Sequence, residues 1–214
     1  MLLLALAGCF DSATTTIFLD VKRGEAHVLQ QMHNAWPDEI GCAKDGVPVD
    51  DATCVSGLRA YLAKATTELT EGGATVARGG VVLDGGRLDL LYDYTAMAGS
   101  KALSDQGITL LWMERQSAGQ VESRHAGHPE LTLLKAPSGN GKDAVAVEGK
   151  YTLYSGQMGD TALSFYVFSG AKAKITSEWT YVPGEQGRPG PGLWLAERPT
   201  LPAALVAAGL VLTP

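Results

Sequence analysis

The chain has 214 residues, of which 45% are hydrophobic and 19% charged, and its formal net charge is −6. This composition argues against intrinsic disorder, and an acidic chain without a cluster of lysine and arginine is a poor candidate for binding nucleic acid. Glycine is abundant, at 26 residues, which favours a strand-rich fold with many turns over a helical bundle.

The chain opens with a short apolar run, MLLLALAGC, that ends in two small residues and a cysteine. Leu6, Ala7, Gly8 and Cys9 resemble the lipobox of bacterial lipoproteins. The resemblance implies that a peptidase removes residues 1–8 as a signal peptide, and that the new N-terminal cysteine carries acyl chains such as palmitate. Two or three such chains anchor a protein durably in a membrane. The alternative is that the apolar run forms a buried first strand.

The residues around Cys9 refine this interpretation. A secretory signal begins with basic residues, and none precedes Cys9, so we expect the true start of the protein upstream of Met1. Phe10 occupies the position where aspartate favours retention in the inner membrane. The resemblance therefore implies the outer membrane, on its periplasmic or surface face. Residues 9–13 are predicted to be a polar tether, and residues 14–214 a single domain.

Cysteine usage is consistent with export from the cytoplasm. The chain has three cysteines, and if Cys9 is acylated, Cys42 and Cys54 remain as a pair. A bond between them closes the loop GCAKDGVPVDDATC and stabilises the fold by about 3 kcal/mol. Such a bond persists in an oxidising compartment such as the periplasm. The alternative is that both cysteines are buried and reduced.

A hairpin and a helix are predicted next along the chain. Residues 14–22 alternate between apolar and polar side chains, which is the pattern of a half-buried strand, and a turn leads to a second strand at residues 26–34. A helix over about residues 51–70 begins at Asp50 or Asp51, where acidic residues favour a helix start. It ends at two glycines. Its apolar stripe comprises Val55, Leu58, Tyr61, Leu62, Ala65 and Leu69.

Further hairpins are predicted after the helix. Two strands flank the turn Asp84-Gly85-Gly86, and on the second strand Asp89 and Asp93 alternate with apolar residues, so we assign them to the solvent side. A helical turn is expected at residues 100–105. The later predicted strands comprise residues 108–114, 130–135, 144–147 paired with 150–155, and 161–168 paired with 172–182. The apolar tail, residues 201–212, is predicted to dock as a helix or a strand.

Histidines are the main candidates for chemistry. His125 and His128, in the polar segment RHAGHPE, form an H-x-x-H pair with glutamates nearby, which is a possible zinc site. We prefer a solvated loop there, because the glycine and proline disfavour the helix that such sites use. His27 and His33 share one face of a strand about 20 Å apart, too far to bind one ligand together. No nucleophile elbow or phosphate-binding loop is present in the sequence.

These patterns predict an α+β fold, in which a mostly antiparallel sheet of successive hairpins carries the one main helix on one face. The expected function is that of a membrane-anchored lipoprotein with a non-catalytic binding or structural role in the cell envelope. We expect no enzyme activity, no cofactor and no nucleic-acid partner; a protein or small-ligand partner stays open. The alternatives are a lipid or small-ligand carrier in the periplasm, and a metal-dependent enzyme that uses His125 and His128.

Overall fold

The computed structural model describes residues 10–104, 108–113, 130–135, 141–158, 161–182 and 192–212. They form ten strands and three α-helices. The strands are β1 Phe10–Asp20, β2 Glu25–Ala35, β3 Ala43–Lys44, β4 Val47–Pro48, β5 Ala74–Asp84, β6 Arg87–Met97, β7 Ile108–Met113, β8 Glu130–Lys135, β9 Gly141–Met158 and β10 Thr161–Tyr181. The helices are α1 Asp51–Glu71, α2 Lys101–Ser104 and α3 Leu201–Ala207.

Eight of these strands form one antiparallel sheet, in the order β5-β6-β2-β1-β10-β8-β7, with β9 also paired to β10. The second half of β10 pairs with β1, and its first half pairs with β8. The short strands β3 and β4 form a separate pair. The predicted α+β class, with a mostly antiparallel sheet and one main helix, is confirmed.

The sheet has one buried face and one polar face around its central strands, because side chains alternate along each strand. The buried face lies in the same core as α1. Its residues include Ile17, Leu19, Val28, Met32, Leu88, Leu90, Tyr92, Tyr94 and Ile175. The opposite face carries the alternate positions of β1, β2 and β6, most of which are polar.

Helix α1 begins and ends as its sequence predicts. The Asp50 carboxylate accepts a hydrogen bond of 2.9 Å from the backbone N–H of Thr53, which satisfies one of the N–H groups at the helix start. Gly72 follows the last helical residue, and Gly73 has a positive φ of 89°. The buried side chains of α1 are Cys54, Leu58, Leu62 and Leu69, which belong to the predicted stripe or lie beside it.

The two last predicted hairpins are wrong. Residues 144–155 belong to the continuous strand β9, and residues 161–181 to the continuous strand β10, so the chain forms one long hairpin instead of two short ones. At the expected turn positions, the pairing shifts between Phe168 and Ala173. Gly149 takes a φ of 126° there, and a Cβ on it would lie 3.0 Å from that of Ala173. The glycine therefore marks an irregularity inside a strand, and not a chain reversal.

The predicted tether is also corrected. Strand β1 begins at Phe10, whose backbone pairs with Ala35 and whose side chain is buried against Trp179. Residues 10–13 are thus part of the sheet. Burial of the Phe10 ring removes apolar surface from water and so favours a strand over a solvated tether. The polar residues that follow Phe10 in the sequence suggested the tether.

The C-terminal tail docks on the domain, as predicted. Leu201 and Leu205 of α3 are buried, and Val211 forms a parallel bridge with Val81 of β5. Just before α3, the Arg198 guanidinium donates to the carbonyl oxygens of Cys42 and Val49, at 3.1 and 2.7 Å. It also forms an ion pair of 2.6 Å with Asp51 at the start of α1. The end of the chain thereby fastens the cystine loop to the main helix.

Cys42 and Cys54 form the predicted disulfide bond, and both residues are fully buried. The bond links the loop around β3 and β4 to the first turn of α1.

Across the ranges that the structure covers, none of the helices has the length and apolarity needed to cross a membrane.

Candidate functional site

Two histidine–aspartate pairs lie on the polar face of the sheet, where β2 runs beside β6. The ring of His27 is 2.7 Å from the carboxylate of Asp93, and the ring of His33 is 2.9 Å from that of Asp89. The two histidines share a strand face, as predicted, and each has its own partner. The antiparallel register places an aspartate beside each imidazole, which spacing within one strand could not reveal.

Asp89 is buried, contrary to its prediction as a solvent-facing residue. Only 1% of its surface is exposed. Its Oδ1 accepts from the backbone N–H of Asn34, and its Oδ2 accepts from the side chains of Gln31 and His33, each at 2.9 Å. A carboxylate buried in a sheet requires such donors, because its charge would otherwise lack solvation. The residues on β2 supply all three.

The pKa of the Asp89 carboxyl lies below its ordinary value. Burial alone would raise this pKa, but the hydrogen bonds from His33, the Asn34 N–H and Gln31 stabilise the ionised form and outweigh burial. Asp89 is therefore a carboxylate at neutral pH, and a carboxylate can only accept hydrogen bonds.

This acceptor determines which nitrogen of His33 carries the proton. Nδ1 faces the Asp89 carboxylate, so Nδ1 must be the N–H that donates. In a neutral imidazole, Nε2 is then the acceptor, and it lies 3.2 Å from the hydroxyl Oγ1 of Thr14 on β1. With a neutral ring, Thr14 donates to His33, and His33 donates to Asp89. The three side chains form one directed chain of hydrogen bonds across three neighbouring strands.

A second set of polar contacts fixes the end of β2, next to the hydrogen bonds that link Thr14, His33 and Asp89. Asn34 has a positive φ of 54°, a conformation that asparagine tolerates better than most residues. Its amide Nδ2 donates to the Asp11 carboxylate at 2.6 Å and to the carbonyl of Gly192 at 2.7 Å. Trp36 also donates to Asp11, at 3.2 Å. These bonds hold the Asn34 backbone in place, and with it the N–H that binds Asp89.

The other pair, His27 and Asp93, is more exposed. The side chain of His27 is 46% exposed, against 25% for His33. Arg78 donates to the second oxygen of Asp93 at 3.2 Å, and the ring of Phe18 stacks on His27. In the part of the chain that the structure covers, no hydroxyl group bonds to His27. Asp93 is therefore the centre of a surface network, ion-paired to Arg78 and hydrogen-bonded to His27. This network differs from the row of hydrogen bonds through His33.

Cys9 and the pair His125/His128, to which the sequence assigns lipid attachment and a possible metal site, are outside the described residues. Within the described ranges, no group of three or more histidine, cysteine, aspartate or glutamate side chains is arranged to hold a metal ion.

Comparison of the chain with protein-family models, with curated proteins and with solved structures finds no match in any of the three.

Proposed function

We propose that this chain is a bacterial lipoprotein, anchored through acylated Cys9 in the outer membrane, whose α+β domain has a binding or structural role in the cell envelope. The observation that carries the proposal is the pairing of cysteines. Cys42 and Cys54 are joined to each other, so Cys9 is the one cysteine of three outside the disulfide, and it occupies the lipobox position. A buried disulfide is also typical of proteins from oxidising compartments.

The start of β1 at Phe10 would place the domain close to its lipid anchor. Because the sheet begins at Phe10, an acyl group on Cys9 would hold this end of the sheet close to the membrane. Thr14 is five residues further along the strand, about 17 Å at 3.3 Å per residue. The candidate site would therefore lie within about 17 Å of the acylated residue.

Metabolic labelling with a clickable fatty acid in the native bacterium tests the anchor. We expect the wild-type protein to be labelled and to fractionate with the outer membrane, and the Cys9→Ser variant to lose the label. A Cys42→Ser/Cys54→Ser double variant is the matched control, because it removes two cysteines and should keep the label. Equal labelling of wild type and Cys9→Ser would overturn the proposal.

A further inference from the structure

We propose that Thr14, His33 and Asp89 act as a nucleophile, a general base and an orienting carboxylate, and that they hydrolyse carboxylic esters through an acyl group carried on Thr14. This activity goes beyond the envelope role proposed above and does not depend on the lipid anchor. No local sequence pattern indicates this activity, because the three residues lie on three strands and come together only in the folded sheet.

The geometry is that of a nucleophilic triad. Such a triad needs a hydroxyl bonded to one imidazole nitrogen and a carboxylate bonded to the other, which fixes the ring and stabilises the imidazolium that forms. The distances here are 3.2 Å from Oγ1 of Thr14 to Nε2 of His33, and 2.9 Å from Nδ1 of His33 to Asp89. A hydroxyl–imidazole bond somewhat longer than ideal is normal before a substrate binds.

Burial is graded along the triad in the order that the chemistry needs. Asp89 is almost completely enclosed and ionised, whereas the side chain of His33 is 25% exposed and Thr14 is half-buried. The carboxylate is therefore shielded from water, while the Thr14 hydroxyl on the polar face of the sheet is partly accessible to a reactant. Two further donors, from Gln31 and the Asn34 backbone, keep Asp89 in place.

The setting of Thr14 indicates the class of substrate. Thr14 lies in the middle of a strand and points to the polar face of the sheet, where its neighbours on β1 are Ser12 and Thr16. A hydroxyl flanked by small polar side chains suits a small ester better than an extended peptide, which a longer binding surface must align. An ester also has a better leaving group than an amide, so a weakly activated threonine suffices.

The reaction balances with water as the only co-reactant. The Thr14 oxygen forms a bond to the acyl carbon, and its proton passes to Nε2 of His33. The bond from the acyl carbon to the alcohol oxygen breaks, and the alcohol leaves with the proton from His33. Water then attacks the acyl group on Thr14 with His33 as base, releasing a carboxylic acid and restoring the threonine hydroxyl.

The test uses the purified full-length chain and p-nitrophenyl acetate as the ester. We expect release of p-nitrophenolate, and an acetyl group on Thr14 when the reaction is quenched and digested for mass spectrometry. Thr14→Ala and His33→Gln should each slow the release about 100-fold or more, whereas Thr14→Ser should retain activity. Thermal melts establish whether each variant is folded. If His33→Gln is unfolded, Thr14→Ala still tests the proposal.

Two matched controls separate the triad from general reactivity. Thr16→Ala removes the next hydroxyl on the same face of β1, and His27→Gln removes the other imidazole that is paired with an aspartate. Both variants should hydrolyse the ester at the wild-type rate. Release by folded Thr14→Ala at the wild-type rate, or acetyl groups found only on other residues, would overturn the proposal.

Discussion

The imidazole of His33 donates to the carboxylate of Asp89 over 2.9 Å, although 56 residues separate the two along the chain. This bond joins β2 to β6 on the polar face of the sheet. Asp89 is buried and accepts from three donors on β2. A charged carboxylate that is shielded from water therefore links these two strands. The stability of the sheet should therefore depend on the ionisation of this group.

Replacing Asp89 with asparagine is expected to destabilise the fold at neutral pH by roughly 1–3 kcal/mol, because in either orientation the amide NH2 would face a donor, either the Asn34 N–H or the side chains of His33 and Gln31. The pKa of Asp89 is lower in the folded protein than its ordinary value. Its stabilising contribution is therefore present above the ordinary carboxyl pKa, about 4, and is lost as the pH falls below that value.

Urea unfolding at a series of pH values measures this effect. The free energy difference between wild type and Asp89→Asn should be largest near pH 7 and should shrink below about pH 4. A difference that stays constant down to pH 2, or is absent at pH 7, would show that the buried carboxylate does not stabilise the strand pair.

The disulfide between Cys42 and Cys54 closes a loop with a sequence separation of 12. Replacing both cysteines with serine is expected to lower the free energy of unfolding by about 3 kcal/mol, because the unfolded chain regains the freedom of the loop. Chemical denaturation of the oxidised and the serine proteins gives this value. Alkylation of the denatured, non-reduced protein should modify neither cysteine; modification of both would contradict the disulfide.

Asp50 caps the start of α1 by accepting from Thr53. Its pKa is lowered first by the hydrogen bond from the Thr53 side chain and then by the backbone bond from the same residue. We expect Asp50→Ala to lower the melting temperature by roughly 2–4 °C, as for the loss of an ordinary N-cap in a domain of this size. Asp50→Ser, which retains a capping oxygen, should melt close to the wild type. Equal losses in both variants would argue against a capping role.

The hydroxyl groups of Tyr92 and Tyr94 are buried in the core and have no hydrogen-bond partner among the described residues. A buried hydroxyl without a partner is costly, so Tyr92→Phe and Tyr94→Phe are each expected to raise the free energy of unfolding by up to about 1–2 kcal/mol. Equilibrium unfolding in urea decides this. A loss of more than about 1 kcal/mol in either variant would show that the hydroxyl is bonded in the folded protein.

Burial raises the pKa of both tyrosines above the ordinary value. Their neutral form is therefore favoured by folding, and this contribution is present below about pH 10, the ordinary tyrosine pKa. As the pH rises beyond that value toward the folded pKa, the unfolded chain ionises first and stability is lost. The double phenylalanine variant should lose less stability than the wild type between about pH 10 and 12, as measured by urea unfolding.

Local patterns in the sequence predicted much of the fold correctly. The boundaries of α1 follow from Asp50 and Gly72, and the turn at Asp84-Gly85-Gly86 separates β5 from β6. Each of these signals acts between residues close in the chain. The predictions of the two late hairpins are wrong because glycine occurs both in turns and at irregularities inside strands, and Gly149 is of the second kind. Only the pairing of β9 with β10 distinguishes the two cases.

The candidate site could be predicted only in part. The alternation of polar and apolar residues correctly placed His33 and Asp89 on the polar faces of β2 and β6. It could not predict the register between the two strands, which brings the two residues together. Asp89 was expected in solvent because aspartate on a strand usually is. Its burial depends on the Asn34 backbone, which in turn depends on contacts with Asp11 and Gly192, the latter 158 residues away. No local pattern encodes such a contact.

The most direct test of the account is the protonation state of the His33 ring, read by NMR from its two ¹⁵N nuclei with the His33→Gln variant for assignment. We expect the neutral ring to carry its proton on Nδ1, bonded to Asp89, with Nε2 as acceptor for Thr14. The Asp89→Asn variant should lose this preference, and Thr14→Ala should retain it. A neutral wild-type ring with its proton on Nε2 would contradict the directed chain from Thr14 through His33 to Asp89.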